Sequence, residues 1–303
     1  MLRNLREKAS LLRARWKNSR REKSRKNFLE GETTLNVVRA FPAFAPNSWG
    51  SYRQRAALTI EAIDQIFPTL HRLRERSLSQ EEFTREVEQR LANLDHEETK
   101  LADFFNRHGS DKANPHGYDR LYSALLNDPK SVKKVLEIGI GSNDPTQLST
   151  MGLHGKPGAS LRAFRDYFPS AAIYGADFDQ KSLFQEERIQ CYPVNQLDID
   201  ALEGLGESIG EGFDLMIDDG LHAPIANLNS LQFMISRLKP GGYAVIEDIH
   251  PKAFALWEVA ASLLPNSYHA CLLPMNKSLI FVVQKKYAAE CEGSTATALL
   301  GEV

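Results

Sequence analysis

The chain reads as an α/β protein built on a mostly parallel, doubly wound sheet, and three observations predict it. Residues 135–141 (V-L-E-I-G-I-G) are apolar around one acid and run into two glycines, the pattern of a buried parallel strand with a tight turn at its carboxyl end. Strand-sized apolar runs then alternate with helix-period segments as far as residue 264. The last two strands, 268–273 and 279–284, are joined by five residues, a connection that forces antiparallel pairing.

Bulk composition is that of a soluble globular chain: 303 residues, 42% hydrophobic and 25% charged, with no apolar run near the length of a membrane span. The basic N-terminus lacks an apolar core segment, which predicts no signal peptide. Cys191, Cys271 and Cys291 are scattered and have no C-x-x-C spacing, so neither disulfides nor zinc are expected, and a cytoplasmic, reducing location is.

Residues 1–26 hold eleven Lys/Arg against Glu7 and Glu22, about +9, which leaves the remainder at about −11. Leu2, Leu5, Ala9, Leu12 and Trp16 fall at helical spacing among these charges. Such a basic amphipathic arm can lie on an anionic inner-membrane surface, contact nucleic acid, or pack at an oligomer interface. Trp16 is its sole aromatic residue, which serves base stacking poorly. Residues 41–49 form a Pro-interrupted linker, and 52–67 and 80–94 read as helices, the second with Ser79 as N-cap. Residues 27–100 thus read as a helical N-terminal region, and 286–303 as a flexible tail.

The glycine turn bears on the cofactor. A dinucleotide fold wants G-x-G-x-x-G, whereas here Asp144 occupies the third glycine position and Glu137 precedes the first. That order resembles motif I of the class I S-adenosylmethionine (SAM) methyltransferases. A carboxylate at the strand end can stabilise a cationic cofactor, and Gly139 and Gly141 let backbone approach it.

A loop over 142–158 and a helix over 159–167 follow, then strands at 172–176, 189–194, 213–217 and 243–246, with helices at 201–205, 227–238 and 253–264. Asp177 ends the second strand, where a carboxylate can accept hydrogen bonds from ribose hydroxyls. Asn195, Gln196 and Asp198 follow the third strand, where the resemblance implies contact with adenine, and Asp218 joins the cofactor set. Residues 217–222 (I-D-D-G-L-H) and 246–248 (I-E-D) end two strands that this topology makes neighbours. Asp219, Glu247 and Asp248 would then converge, and carboxylates so placed repel one another unless a hard divalent cation, Mg²⁺ or else Ca²⁺ or Mn²⁺, joins them. His222, three residues past Asp219, can take a hydroxyl proton.

Four segments in order, D-K-x-x-x-H-G-Y at 111–118, L-E-I-G-I-G at 136–141, G-A-S-L-R at 158–162, and D-D-G-x-H with E-D, resemble the metal-dependent sugar O-methyltransferases of the mycinamicin and tylosin macrolide 2-O-methyltransferase type. The resemblance covers about residues 101–285. It implies a class I SAM methyltransferase (Rossmann-like) sheet of seven strands with a helical N-terminal extension. It further implies magnesium on Asp219, Glu247 and Asp248, and His222 as general base. Lys112, His116, Tyr118 and His250 are candidates for acceptor contacts. Departures from that family's usual pattern fall at Leu221, Ala226 and 249–252, on the acceptor side.

The expected function is therefore SAM- and Mg²⁺-dependent O-methylation of a sugar hydroxyl, on a glycosylated natural product or a surface polysaccharide, by a homo-oligomer. The rivals are a nucleic-acid methyltransferase steered by the basic arm, which the acidic body argues against, and an inactive SAM-fold scaffold.

Overall fold

A computed structural model describes residues 78–94, 99–147 and 149–290. The basic arm, the helix expected over 52–67 and the tail beyond 290 lie outside the described residues.

Strand β1 (Lys134–Ile138) is central. It pairs in parallel with β2 (Ala172–Asp177) on one side and β5 (Phe213–Asp218) on the other. Outward from β2 lie β4 (Ile189–Pro193) and the two-residue β3 (Gln185–Glu186); outward from β5 lie β6 (Leu238–Ile249), β8 (Leu279–Lys285) and β7 (Tyr268–Pro274). The hairpin at the end of the chain is antiparallel, and β8 enters it antiparallel to β6. Successive crossovers leave β1 in opposite directions, so the crevice for a ligand opens at the carboxyl ends of β1 and β5.

The described sheet has eight strands where seven were expected, because β3 turns back on β4 at the edge. Strand β6 starts five residues before the expected 243, since Leu238 pairs with Phe213 across a register shift despite the Pro-Gly-Gly that follows. The helix expected at 201–205 runs over Ile199–Ile209, because the Asp198 carboxylate caps it by accepting from Asp200 and Ala201 N–H. Asp198 is thus a helix cap, and it lines neither of the two clefts at the carboxyl edge of the sheet. Ser79 lies inside the first helix, Leu78–Ala92, and not ahead of it.

Two-residue alternation sorts the core. Val135, Ile173, Leu215, Ile217 and Val245 face a layer formed by α1 (Leu78–Ala92), α2 (Lys100–His108), α3 (Tyr118–Leu125) and α4 (Ala159–Tyr167). Leu136, Ile138, Met216, Ala244 and Ile246 face α5 (Ile199–Ile209), α6 (Pro224–Arg237) and α7 (Phe254–Leu263). The same parity governs the acids at the strand ends. Glu137 and Glu247 belong to the α2–α4 face, and Asp218 belongs to the α6 face. Among the described residues no helix is long and apolar enough to cross a membrane.

Candidate active site

Two clefts open at the carboxyl edge. The first has a cavity volume of about 280 Å³ and is lined by Gly139, Gly141, Asp177, Asn195 and Gln196, with Ile138, Val194, Leu197 and Leu221 as its apolar walls. The second, about 190 Å³, is lined by Lys112, His116, Tyr118, Glu137, Asp219, His222, Glu247 and Asp248, among others. They share Gly139, Gly141, Ser149 and Asp219.

Gly139 makes the junction tight. Its φ is +90°, and a Cβ there would run into the backbone of Asp219 and Gly220. The two loops are also pinned by hydrogen bonds from Gly139 N–H to the Ala176 carbonyl and from Asp219 N–H to the Ile138 carbonyl, each 2.8 Å. Asp177 supports the same turn. Its Oδ2 accepts from Ile140 N–H at 2.9 Å and Gly141 N–H at 3.2 Å, and its Oδ1 from Asp179 N–H at 2.8 Å. Burial raises the Asp177 pKa against these three hydrogen bonds. The residue lines the first cleft as expected, but its carboxylate already braces backbone.

Asp218, expected at the cofactor, is fully buried on the α6 face. Its Oδ1 accepts from Gln196 Nε2 at 2.6 Å and Gly220 N–H at 3.1 Å, and its Oδ2 from Asn227 Nδ2 at 3.0 Å. Gln196 also accepts from Leu221 N–H at 2.9 Å and donates to Ser230 at 2.8 Å. Asp218 and Gln196 therefore form a polar mount beneath the loop that carries Asp219 and His222. Asn195 lines the cleft while its Oδ1 accepts from Leu197 N–H at 3.1 Å.

On the other face the acids gather around a cation that sequence reasoning placed in the acceptor pocket. Lys112 is 2% exposed, and its Nζ lies 2.7 Å from Asp219 Oδ2 and 3.1 Å from Glu137 Oε1, and donates a short hydrogen bond to Glu247 Oε2. Ser160 donates to Glu137 Oε2 at 2.5 Å, and Tyr122 donates to Glu247 Oε1. Burial works against a charged Lys112, but Asp219, Glu137 and Glu247 outweigh it and raise its pKa. Burial and the neighbouring acids push Glu137 and Glu247 up, and Lys112 holds them back. Glu137 is thus a buried partner of Lys112 that lines the second cleft and not the first.

Strict alternation would send Asp248 to the α6 face with Ile246. A register shift between Ile246 and Ile249 and a φ of +52° at Asp248 break it. Asp248 instead accepts from Tyr118 Oη at 2.5 Å and Ser278 Oγ at 3.0 Å, on the side where Glu247 lies. Burial raises the Asp248 pKa, but the His116 imidazole, 3.3 Å away, and the Tyr118 hydroxyl outweigh it and hold it well below the carboxylate range. The same ion pair raises His116. His222 also sits at positive φ, +54°, with Nε2 3.9 Å from Asp219 Oδ1. Paired left-handed residues at one corner are costly and mark a site held in place by its surroundings.

Asp219, His222 and Asp248 each offer one ligand atom, all within 4.8 Å of one another. Of the expected triad Asp219 and Asp248 belong to this set; Glu247 does not, and its two oxygens accept from Lys112 and Tyr122. His116 and Tyr118 fall in the second cleft as anticipated; His250 is exposed and outside both linings. Sequence reasoning missed Tyr122, Ser160 and the central place of Lys112. The dense polar run 108–118 was the signal for Lys112, and the G-A-S-L-R segment at 158–162 the signal for Ser160.

No protein-family profile matches the chain. It is 33% identical over 165 residues to 8-demethyl-8-alpha-L-rhamnosyl tetracenomycin-C 2'-O-methyltransferase of Streptomyces olivaceus, and 32% over 171 residues to mycinamicin VI 2''-O-methyltransferase of Micromonospora griseorubida. These alignments take in 54% and 56% of this chain, and the chain spans only 41% and 39% of those relatives. Among solved structures, the MycE methyltransferase of the mycinamycin pathway, in complex with Mg and SAH, superposes with a TM-score of 0.52 at 24% identity, covering 63% of this chain and 55% of that one. The likeness establishes the class I SAM methyltransferase fold.

Proposed function

We propose that this chain carries a SAM- and Mg²⁺-dependent O-methyltransferase site that acts on a sugar hydroxyl of a glycosylated natural product or surface polysaccharide. The observation that carries the reading is the meeting of the two clefts at Gly139, Gly141 and Asp219, beside the Asp219, His222 and Asp248 ligand atoms. An apolar, glycine-floored cleft suits an adenosine-bearing methyl donor, and a cleft of acids and imidazoles suits a polyhydroxylated acceptor. MycE, solved with Mg and SAH, and a relative whose name specifies a rhamnosyl substrate support the same pairing.

The donor set fits a hard divalent ion. Asp219 and Asp248 would hold it, Glu247 has only the lone pairs that Lys112 and Tyr122 leave free, and His222, although near, keeps its imidazole lone pair for the hydroxyl proton. Such an ion lowers the pKa of a coordinated hydroxyl and orients it.

This chain's own residues do the rest. Asp177 fixes the glycine turn so that the donor is seated in one place. Asp218 and Gln196 fix the loop that aims Asp219 and His222. His222 takes the acceptor hydroxyl proton as the oxygen attacks the methyl group of SAM; the methyl–sulfur bond breaks and its electron pair stays on sulfur as neutral SAH, with proximity of the two clefts supplying much of the rate. Tyr118 and His116 hold Asp248 in register at the acceptor's side.

The test is transfer of a labelled methyl group from SAM to a panel of glycosides with and without vicinal hydroxyls. Label on vicinal-diol glycosides is expected. Absence of transfer to every glycoside by protein that still binds SAH would refute the acceptor class.

A further inference from the structure

Five acids line one cleft: Asp111 is exposed at its rim beside His116, and of the other four, Glu137, Asp219, Glu247 and Asp248, two are 1% exposed. Such a cluster cannot stay ionised without positive charge close by. The structure already contains that charge. Lys112 Nζ is within hydrogen-bonding reach of three of the four, reaching across 25 residues of sequence to Glu137, 107 to Asp219 and 135 to Glu247. The fourth, Asp248, is served separately by Tyr118, Ser278 and His116. Tyr122 and Ser160 donate to the outer oxygens of Glu247 and Glu137, so the buried ammonium sits at the centre of the acids, hydrogen-bonded to Glu247 and Asp219 and ion-paired with Glu137.

Loop geometry fixes the lysine. Gly109 ends α2 in a left-handed conformation, φ +79°, with its N–H on the Phe105 and Asn106 carbonyls. Tyr118 N–H then bonds the Lys112 carbonyl at 2.7 Å, so the loop is closed on both sides of the lysine.

We infer that Lys112 is a positioning residue and the resident cation of this acid cluster: it holds Asp219 and Glu247 in place before any divalent ion arrives, so the ion completes the acceptor side and does not assemble it. The inference rests on the metal reading above. Its test reads melting and ion binding, not methyl transfer, so the two can fail separately.

Lys112→Met removes the charge and keeps most of the side-chain volume. In EDTA the variant is expected to melt about 10 °C or more below wild type, as a buried ion cluster deprived of one partner should. Saturating Mg²⁺ should raise its melting point by clearly more than it raises that of wild type, because the ion now supplies the missing charge. Mn²⁺ affinity, read by electron paramagnetic resonance, should tighten about tenfold, since the competing ammonium is gone. Glu247→Gln added to Lys112→Met should recover much of the loss in EDTA by restoring the balance of charge.

A lysine that merely fills space would lower the melting points in EDTA and in Mg²⁺ equally and leave Mn²⁺ affinity unchanged; that result overturns the inference. So does wild-type protein that unfolds in EDTA. If Lys112→Met does not fold in EDTA, the double variant decides: folding supports the inference, and a double variant no better than the single one overturns it. If Mn²⁺ binds neither wild type nor variant, the metal reading falls, and the melting points in EDTA still decide the role of Lys112.

Discussion

The first cleft is shaped by backbone, and the second by side chains. In the first, Gly139 and Gly141 sit at φ +90° and +94°, Asp177 spends its oxygens on amide groups of the turn, and the walls are apolar. In the second, Lys112 is surrounded by carboxylates, and positive φ falls on Asp248 and His222, residues whose side chains the site uses. A backbone cradle tolerates change in side chains but not in turn geometry. A charge cluster tolerates neither loss nor gain of one charge. The two therefore break differently when mutated, and Gly139, packed against the Asp219 backbone, is the position that should break both.

The largest effect is expected at Gly139→Val. A Cβ there meets backbone and cannot be relieved by a rotamer change, so stability should fall by at least about 2–3 kcal/mol. SAH binding and divalent-ion binding should be lost together, as calorimetry would read. Intact SAH affinity would show that the turn has more room than the structure gives it.

Next comes His222→Ala, which should separate the clefts. Turnover should drop roughly 10²–10⁴-fold, the usual cost of removing a general base, with SAH affinity unchanged. Near wild-type turnover would return the histidine to a structural role.

Asp218→Asn tests the mount beneath Asp219. An amide there turns an N–H₂ group toward that of either Gln196 or Asn227, at a cost of about 1–3 kcal/mol in stability. Turnover should fall about 10–100-fold through misplaced Asp219 and His222, the range for residues that orient ligands from behind. A melting point and rate equal to wild type would contradict the network.

The smallest effect is expected at Asp177→Ala. Loss of the turn's two amide contacts should weaken SAH about tenfold, roughly 1.4 kcal/mol, and leave Mn²⁺ affinity alone. A variant that loses metal affinity instead would mean that the clefts are not separable.

How much of this was legible beforehand follows from the same contrast. Features set by local sequence were readable: the V-L-E-I-G-I-G turn, the antiparallel hairpin, and the strand-end acids of D-D-G-L-H and I-E-D. Asp218 was misassigned because a carboxylate beside a glycine turn reads alike whether it mounts a loop or meets a ligand, and the helix cap made by Asp198 reads like any other strand-end acid. Parity decides Asp218, but Leu215, Met216 and Ile217 are all apolar and buried, so the sequence shows no alternation there and only the packing of the two faces reveals it. At Asp248 alternation itself fails, because a local break turns the residue round. Lys112 was legible only as part of a polar loop; its partners lie 25 to 135 residues away, and only the fold brings them to it.

The most direct test of the account compares the two clefts in one sample of the wild-type protein, measuring SAH affinity by calorimetry and methyl transfer to a vicinal-diol glycoside, each in EDTA and then in excess Mg²⁺. The account predicts that EDTA abolishes transfer, Mg²⁺ restores it, and SAH affinity stays within about threefold throughout, because the donor cleft is built of backbone and the acid cleft is already balanced by Lys112. Full transfer in EDTA, or SAH binding lost with the metal, would contradict it.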